Sequence, residues 1–247
     1  MTGGNLQQLR RVGHKGADAI RRGNTLESFE AAVAAGVDMI ELDVLWTREG
    51  HPRLPPQART PLVIAHDWED AAGRDPLTLA QALDAFTRPP LDRIEFDLDL
   101  KLAGREDEVV EMLHERDLLP RAMTSGMEVS SIHRLRRLEP ALRRGWTFPK
   151  ITRDWRKKRW ARPLVAGGLV TLRRRAPAIA RRGIERLEPA AMWVFHPVIT
   201  RRLVATTRSA GVELIAWTVD DLPTMRRLVD LGVDGICTND PRLFAQL

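Results

Sequence analysis

Short β-rich runs alternate with amphipathic helical windows along most of the chain, and this alternation constrains the fold more than any other feature. Eight runs have the composition of strands: residues 10–14, 39–45, 92–101, 121–125, 144–148, 191–195, 213–218 and 234–237. Helical windows separate most of them, at 25–35, 76–86, 105–117, 128–138, 199–210 and 221–231. Strands connected in this way pair in parallel as βαβ units. Eight such strands in 247 residues predict a closed (β/α)₈ TIM barrel, an α/β fold with a parallel eight-stranded barrel, as one domain over residues 1–247.

One predicted strand, residues 39–46 (MIELDVLW), carries two carboxylates in an otherwise apolar run. Side chains alternate across a strand, so Glu41 and Asp43 project to one side and the apolar residues project to the other. In a barrel the acids would point inward, near the carboxyl end of the strand, where barrel active sites form. Two unpaired buried carboxylates repel each other and are costly to desolvate. The pair therefore predicts either a divalent metal site or structural ion pairs with Arg or Lys.

A second acidic strand, residues 94–101 (IEFDLDLK), favours the metal interpretation. Strict alternation places on one face of this strand Glu95, Asp97, Asp99 and Lys101. Asp99 is near the predicted mouth of the barrel and is the best third oxygen ligand. Three carboxylates without a Cys/His cluster favour Mg²⁺ or Ca²⁺ over zinc. Glu95 and Asp97 lie deeper, where we expect ion pairs or hydrogen bonds.

Two histidines stand at the ends of strand-like runs. His14 ends the first predicted strand in VGHKG, and His66 follows the apolar run PLVIA. A lone histidine is usually a surface or satisfied core residue, but two at strand ends near inward carboxylates indicate a shared role. Histidine gives or takes a proton near neutral pH, and phosphodiester cleavage needs one group in each role. His14 and His66 are therefore the candidate catalytic pair. His196, at the end of another predicted strand, is a weaker candidate for the substrate pocket.

The charge balance favours an anionic partner. The chain has 39 Lys and Arg residues against 33 Asp and Glu, a net charge of +6 and a pI of about 10.3. Phosphate esters, lipid surfaces and nucleic acid all meet this requirement. Cys237 is the only cysteine, which excludes an intramolecular disulfide and is typical of a reducing compartment. Because the chain lacks a signal-like leader and an apolar run long enough to span a membrane, we expect a cytoplasmic protein.

Residues 150–183 are strongly basic, with positive charge at both ends of a short apolar piece, 163–172. Trp155 and Trp160 lie beside this piece, and the pattern is typical of an interfacial element on anionic lipid. The chain would then be peripheral at a membrane surface. An ordinary barrel helix with a solvated basic face is the other interpretation. Nucleic acid is not expected as a partner, because no nucleic-acid motif accompanies the charge.

Seven short motifs occur in a fixed order along the chain. They are HKG (14–16), GNT (23–25), SFEAAVAAGVDMIELDV (28–44), AHD (65–67), DLK (99–101), WTVDD (217–221) and GVDGICTNDP (232–241). In order and spacing this series resembles the glycerophosphodiester phosphodiesterases. The likeness runs from about residue 11 to the C-terminus, with no distinctive motif between about 140 and 190. The combination is specific, although each motif alone is weak.

The resemblance implies a (β/α)₈ barrel that uses a divalent metal, Mg²⁺ or Ca²⁺, to hydrolyse a small glycerophosphodiester into an alcohol and glycerol phosphate. By position it implies that the metal is bound by Glu41, Asp43 and Asp99. It implies that the catalytic acid/base pair is His14 and His66. It also implies that phosphate oxygens are held by Lys15 and Lys101. Trp217 ends the seventh predicted strand and would line the pocket, although an aromatic residue there also serves barrel packing.

Two positions depart from the family pattern. Lys15 stands where the family usually has Arg, which keeps the charge but loses the bidentate fork. Arg22-Gly23 stands where the family has Pro-Glu, which removes one carboxylate from the expected mouth. These changes leave open an alternative function, a catalytically weakened barrel that binds anionic lipid or phosphate.

The mode of attack is also open at this level. Relatives that act on lysophospholipids or sphingomyelin share the His, Glu-x-Asp and Asp motifs, and in them a hydroxyl of the substrate attacks the phosphorus to give a cyclic phosphate. In the matched motifs we identify no Ser, Thr or Cys as a protein nucleophile, so we expect no covalent phosphoryl-enzyme. We favour attack by the internal hydroxyl over direct attack by water.

Overall fold

The computed structural model describes residues 9–46, 60–150 and 162–247, without the side chains of residues 162–166. The strands are β1 (Arg10–His14), β2 (Met39–Trp46), β3 (Leu62–Ile64), β4 (Glu95–Leu100), β5 (Ala122–Gly126), β6 (Arg143–Phe148), β7 (Ala191–Phe195), β8 (Glu213–Trp217) and β9 (Gly235–Thr238). The α-helices are α1 (Leu26–Ala34), α2 (Trp68–Ala72), α3 (Leu79–Phe86), α4 (Glu106–His114), α5 (Val129–Leu138), α6 (Arg162–Leu187), α7 (Arg201–Ser209) and α8 (Leu222–Leu231). Short 3₁₀ helices cover Leu119–Arg121, His196–Val198 and Pro241–Gln246.

Eight of the described strands close into a parallel barrel. The order is β1-β2-β4-β5-β6-β7-β8-β9, and β1 pairs with both β2 and β9 to complete the circle. The predicted (β/α)₈ fold is therefore confirmed. The additional strand, β3, pairs antiparallel with the end of β2. β3 was not predicted from the sequence, since a three-residue strand is too short to show a period.

Alternation of side chains divides each barrel strand between an inner and an outer face. Outward residues of β2 and β4, such as Ile40 and Leu98, pack with Phe29 and Phe86 of the surrounding helices. A second outer cluster joins β6 to β9 with helices α6 to α8. A fully buried aliphatic or aromatic side chain contributes ~1.5–3 kcal/mol. These outer clusters hold the strands in register and so fix the height at which each inward residue stands.

The inner face is closed at the amino ends of the strands by ion pairs. Arg10 reaches Glu95 at 2.5 Å and Glu213 at 3.0 Å, and Arg143 reaches Glu95 at 3.0 Å. The ion pair expected for Glu95 is therefore present. Above this layer lies a small apolar layer that includes Val12, Met39 and Trp193. The remaining inward side chains, at the carboxyl ends of the strands, include the polar residues of the candidate site.

The basic stretch 150–183 becomes helical where the structure describes it. Residues 162–183 belong to α6, which has 26 residues, whereas residues 151–161, with Trp155 and Trp160, lie outside the described residues. The described part of this stretch is thus a helix, as the interpretation of an ordinary barrel helix expects. Its placement at a lipid interface stays a prediction. Among the described helices, none has the length and apolar character needed to cross a membrane.

Candidate active site

Three carboxylates meet at the carboxyl ends of β2 and β4. The parallel register sets Glu41 beside Asp97 and Asp43 beside Asp99. One oxygen from each of Glu41, Asp43 and Asp99 lies within 4.8 Å of the others. All three residues are buried, with exposures of 4%, 0% and 9%. The convergence that the alternation of the two strands predicts is therefore observed.

Lys101 places a positive charge among these acids. Its ammonium group contacts Asp43 Oδ1 and Asp99 Oδ2. Burial alone would lower the pKa of Lys101, but the three carboxylates outweigh it and raise this pKa well above its ordinary value. Burial would likewise raise the pKa of Asp43, yet Lys101 and Lys15 hold it well below its usual range. Lys101 is charged here, and it neutralises part of the acidic cluster.

The raised pKa of Glu41 indicates that Lys101 alone does not neutralise the three carboxylates. Burial and the neighbouring Asp43 carboxylate raise the pKa of Glu41 well above its ordinary value. Its carboxylate accepts one hydrogen bond, from the backbone N–H of Lys15 at 2.9 Å. A further positive charge in the cluster would favour the ionised form of Glu41. The donor set, three carboxylate oxygens that converge in a buried place, therefore fits a hard cation.

His14 is held by two polar side chains that follow β8 and β9. Its Nδ1 lies 2.6 Å from Oδ1 of Asn239, whose amide nitrogen donates to Asp220 at 2.7 Å. Because the amide oxygen only accepts, His14 carries a proton on Nδ1, and in the neutral ring Nε2 is the free acceptor. Burial lowers the pKa of His14, which favours the neutral ring. Nε2, which lies 3.9 Å from Glu41, is thus in the form that a general base needs.

His66 lies on the rim of the barrel mouth and is more exposed than His14. Half of its side chain, 51%, is accessible, and its Nδ1 lies 3.0 Å from Asp67 Oδ2. The backbone N–H of His66 donates to Asp70 at 3.1 Å, and Arg74 donates to the same carboxylate at 2.8 Å. These contacts fix the loop after β3 and orient the ring from its Nδ1 side.

Asn24 supports the acidic cluster from the loop before α1. Its amide nitrogen donates to Asp43 Oδ2 at 2.8 Å, and its amide oxygen accepts from the backbone N–H of Asp43 at 3.1 Å. In the preceding HKG turn, Gly16 has φ +86°, and a Cβ there would lie 2.5 Å from Ser28 Oγ. Only glycine suits both requirements. Ser28 Oγ in turn accepts from Ala17 N and donates to the Lys15 carbonyl.

A cavity of about 90 Å³ opens above the cluster. Its lining residues are His14, Glu41, His66, Asp99, Lys101, Ser125, Met127, Thr147, Trp193, Trp217 and Cys237. Six of the nine predicted site residues are in this set, and a seventh, Asp43, contacts Lys101 directly beneath it. The cavity therefore brings together the predicted proton carriers, carboxylates and one lysine.

Two predicted site residues are not on the wall of this cavity. The Lys15 ammonium lies 4.0 Å from Asp18 Oδ2, so this lysine acts on the cluster through its backbone N–H and its charge. His196 begins the 3₁₀ helix after β7 and packs against Phe195, with ring centroids 5.5 Å apart. Phe195 in turn packs against Trp217 at 5.6 Å. His196 thus stands behind the aromatic wall of the pocket.

The Gly23 departure has a local explanation. The backbone N–H of Gly23 donates to Asp18 Oδ1 at 2.7 Å. A Cβ at position 23 would lie 2.6 Å from that oxygen and 2.7 Å from Cβ of Lys15. Position 23 therefore lacks the carboxylate of the family pattern, and the side chain of Asp18 occupies the space that a side chain at position 23 would need. Gly23, Asp18 and Lys15 form one packed unit.

Sequence reasoning missed several residues that orient the site. Asn24, Asp67, Asp220 and Asn239 all lie within the quoted motifs, yet they received no role. For two of them the partner is far along the chain: Asn239 is 225 positions from His14, and Asn24 is 19 positions from Asp43. The only available signal was that each is a polar residue in a short connection between a strand and the next helix.

A protein-family model and two known proteins match this chain. The model of the glycerophosphoryl diester phosphodiesterase family matches residues 14–54 and 78–243. A glycerophosphodiester phosphodiesterase of Arabidopsis thaliana is 42% identical over 69 residues, which are 28% of this chain and 21% of that protein. A glycerophosphodiester phosphodiesterase of Caldanaerobacter subterraneus subsp. tengcongensis is 25% identical over 269 residues, with 96% of each chain covered.

Solved structures share the fold. An Oleispira antarctica phosphodiesterase in complex with the product sn-glycerol-3-phosphate superposes with a TM-score of 0.68 at 18% identity, covering 97% of this chain and 96% of that one. The family match over most of the chain shows that the chain belongs to the glycerophosphoryl diester phosphodiesterase family, a family of phosphodiester hydrolases.

Proposed function

We propose that this chain hydrolyses glycerophosphodiesters to an alcohol and glycerol phosphate, with a divalent metal held by Glu41, Asp43 and Asp99. The observation that carries the proposal is the meeting of this triad with two histidines and Lys101 at one cavity. The product named for the Oleispira antarctica structure supports the same product class. Lysophospholipids contain the same glycerol phosphodiester unit and are the second substrate class.

The chemistry of the cluster supports a metal. Glu41, Asp43 and Asp99 offer only carboxylate oxygens, so Mg²⁺ or Ca²⁺ is the expected cation. Three carboxylates share one buried ammonium group, and burial together with Asp43 raises the pKa of Glu41, which supports a further cation in the cluster. A bound divalent cation would supply Lewis-acid neutralisation of charge on the phosphoryl oxygens.

Protein groups on the cavity wall bind and orient the substrate. Lys101 presents a buried ammonium group that attracts a phosphate oxygen. The indole N–H groups of Trp193 and Trp217 are buried without a hydrogen-bond partner among the described residues. Each can donate to a glycerol or ester oxygen, while its ring excludes water from the site.

Proton transfer is divided between the two histidines by their surroundings. His14 Nε2 takes the proton from the attacking hydroxyl as the new P–O bond forms, because burial and Asn239 keep its ring neutral with Nε2 free. His66 gives a proton to the departing alkoxide oxygen as the old P–O bond breaks. Its exposed position at the rim allows the ring to regain that proton from solvent.

The attacking oxygen is a hydroxyl of the glycerol unit, next to the phosphate, and the first product is a cyclic phosphate that water then opens. Three side chains with a hydroxyl or thiol line the cavity, Ser125, Thr147 and Cys237. The Ser125 hydroxyl donates to Asp97 at 2.6 Å, and burial raises the pKa of the Cys237 thiol well above its ordinary value. Neither Ser125 nor Cys237 is prepared as a nucleophile, and among the described residues no base contacts the hydroxyl of Thr147, so we expect no covalent phosphoryl-enzyme.

A substrate panel tests this proposal. With divalent metal present, glycerophosphocholine, glycerophosphoethanolamine and lysophosphatidylcholine are assayed for release of the alcohol, and phosphorus NMR follows the products. We expect turnover of at least one diester and a transient cyclic phosphate signal. The matched analogue without the neighbouring hydroxyl is expected to be inert. Normal turnover of that analogue would show direct attack by water, and no turnover of any diester would contradict the proposed function.

No contact among the described residues favours the alternative of a weakened, purely binding barrel. That alternative depended on Lys15 and Gly23. Both residues contact the carboxylate of Asp18, and the chain keeps all three carboxylates of the triad and both histidines.

A further inference from the structure

One helix holds the whole excess of positive charge. Seven of the 39 basic residues and one of the 33 acidic residues lie in α6, which leaves 32 of each sign in the rest of the chain. The net charge of +6 is therefore the charge of this one helix. A surface with such a local field attracts an anionic partner.

The length of α6 places its first half beside the mouth of the barrel. At 1.5 Å per residue its 26 residues extend over about 39 Å, against about 14 Å for the nine-residue α7. The helix ends just before β7 begins, so its C-terminal end lies at the amino ends of the strands. Its N-terminal half consequently lies on the side of the carboxyl ends, where the candidate active site opens.

The two halves of α6 differ in packing. From Ala176 onward, every third or fourth residue is buried against the barrel, namely Ala176, Ala180, Ile184 and Leu187. Between Gly167 and Arg175 no side chain is fully buried, and Val170 is 50% exposed. This first half thus combines exposed arginines with an exposed apolar residue, a combination found in helices that lie at a lipid interface.

A cleft of about 360 Å³ lies between this half of α6 and the start of α7. Its lining residues are Val170, Arg173, Arg174, Pro177, Thr200 and Arg202. Within the described part of the chain, none of the three lining arginines has an ion-pair partner. The start of a helix already favours negative charge, yet α7 begins with Arg201 and Arg202, so positive potential is concentrated at the cleft.

We infer that this cleft and the exposed face of α6 around Val170 form a docking surface for an anionic phospholipid bilayer. The arginines would bind headgroup phosphates, and Val170 would enter the boundary between headgroups and acyl chains. Docking in this way turns the mouth of the cavity toward the membrane. Nucleic acid is less well matched, because no aromatic side chain lines the cleft.

The test compares two charge-matched variants of the full chain. Binding is measured by cosedimentation with phosphatidylcholine vesicles that contain or lack phosphatidylglycerol. Each arginine near the surface contributes about fivefold to such binding, so Arg173→Gln/Arg174→Gln should bind about 30-fold more weakly than the unsubstituted protein. The control, Arg181→Gln/Arg182→Gln, removes the same charge from exposed positions in the other half of α6 and should change binding only slightly.

Four outcomes would overturn the inference, and three of them concern the binding measurements. They are no binding of the unsubstituted protein to phosphatidylglycerol vesicles at low salt, equal losses in the two variants, and tighter binding to duplex DNA than to vesicles. Full suppression of vesicle binding by millimolar glycerol 3-phosphate would instead indicate a site for free phosphate esters and would also overturn it. Hydrolysis of soluble glycerophosphocholine is assayed in parallel and should be unchanged in both variants, so the result is independent of the proposed hydrolysis.

Discussion

His14→Ala is expected to lower kcat by about 10²–10⁴-fold while the barrel stays folded. The substitution removes the general base, whose neutral form is favoured by burial and whose Nδ1 proton is held by Asn239. His66→Ala is expected to give a loss of similar size, because the leaving alkoxide then departs without a proton donor. Turnover of a soluble diester under saturating substrate measures both effects, and circular dichroism checks the fold.

A histidine away from the cavity provides the control. His133 lies on α5 and does not line the cavity, so His133→Ala should keep the kcat of the unsubstituted protein. Undiminished turnover by a His14→Ala/His66→Ala double variant would remove both histidines from the mechanism.

Asp43→Asn is expected to abolish tight binding of the divalent metal and to lower kcat/KM by at least about 10²-fold. Asparagine keeps the shape of the side chain, but it removes a negative charge from the triad and from the contact with Lys101. Isothermal titration with Mg²⁺ and Ca²⁺, next to turnover at increasing metal concentration, measures the two effects. Excess metal should not restore full activity.

The matched control for Asp43→Asn is Asp97→Asn, a change on the next inward acid of β4. Burial raises the pKa of Asp97 to about 8, so at pH 7 this carboxyl is mostly protonated and an amide replaces it with little change in charge. Asparagine can also accept the hydrogen bond from Ser125. Metal affinity should therefore be nearly unchanged. Equal loss of metal binding in the two variants would contradict the placement of the metal on Glu41, Asp43 and Asp99.

Periodicity along the chain was sufficient to predict the barrel and the height of its inward acids. In β2 and β4, alternation with period two determines that Glu41, Asp43 and Asp99 face inward, and barrel closure then brings them together. Elements with weak or no period were not predicted. The three residues of β3 are too few, and the length of α6 was obscured by the glycines and the proline in its sequence.

Contacts that depend on the path of loops could not be derived from the sequence. Asn24 reaches Asp43 only because its backbone adopts φ +61°, and Asn239 meets His14 only because β9 closes against β1. The position of the Lys15 ammonium beside Asp18 likewise follows from the tight turn that ends at Gly16. For each of these residues the sequence indicated a hydrogen bond or an ion pair, but only the tertiary structure determines which residue is the partner.

The dependence of turnover on metal tests the central claim most directly. The protein is treated with a chelator, transferred into metal-free buffer and incubated with glycerophosphocholine, while phosphorus NMR follows the substrate and glycerol phosphate. We expect no glycerol phosphate until Mg²⁺ or Ca²⁺ is added, and then turnover that saturates with the metal and fails in Asp43→Asn. Full turnover in excess chelator would contradict the account of the site.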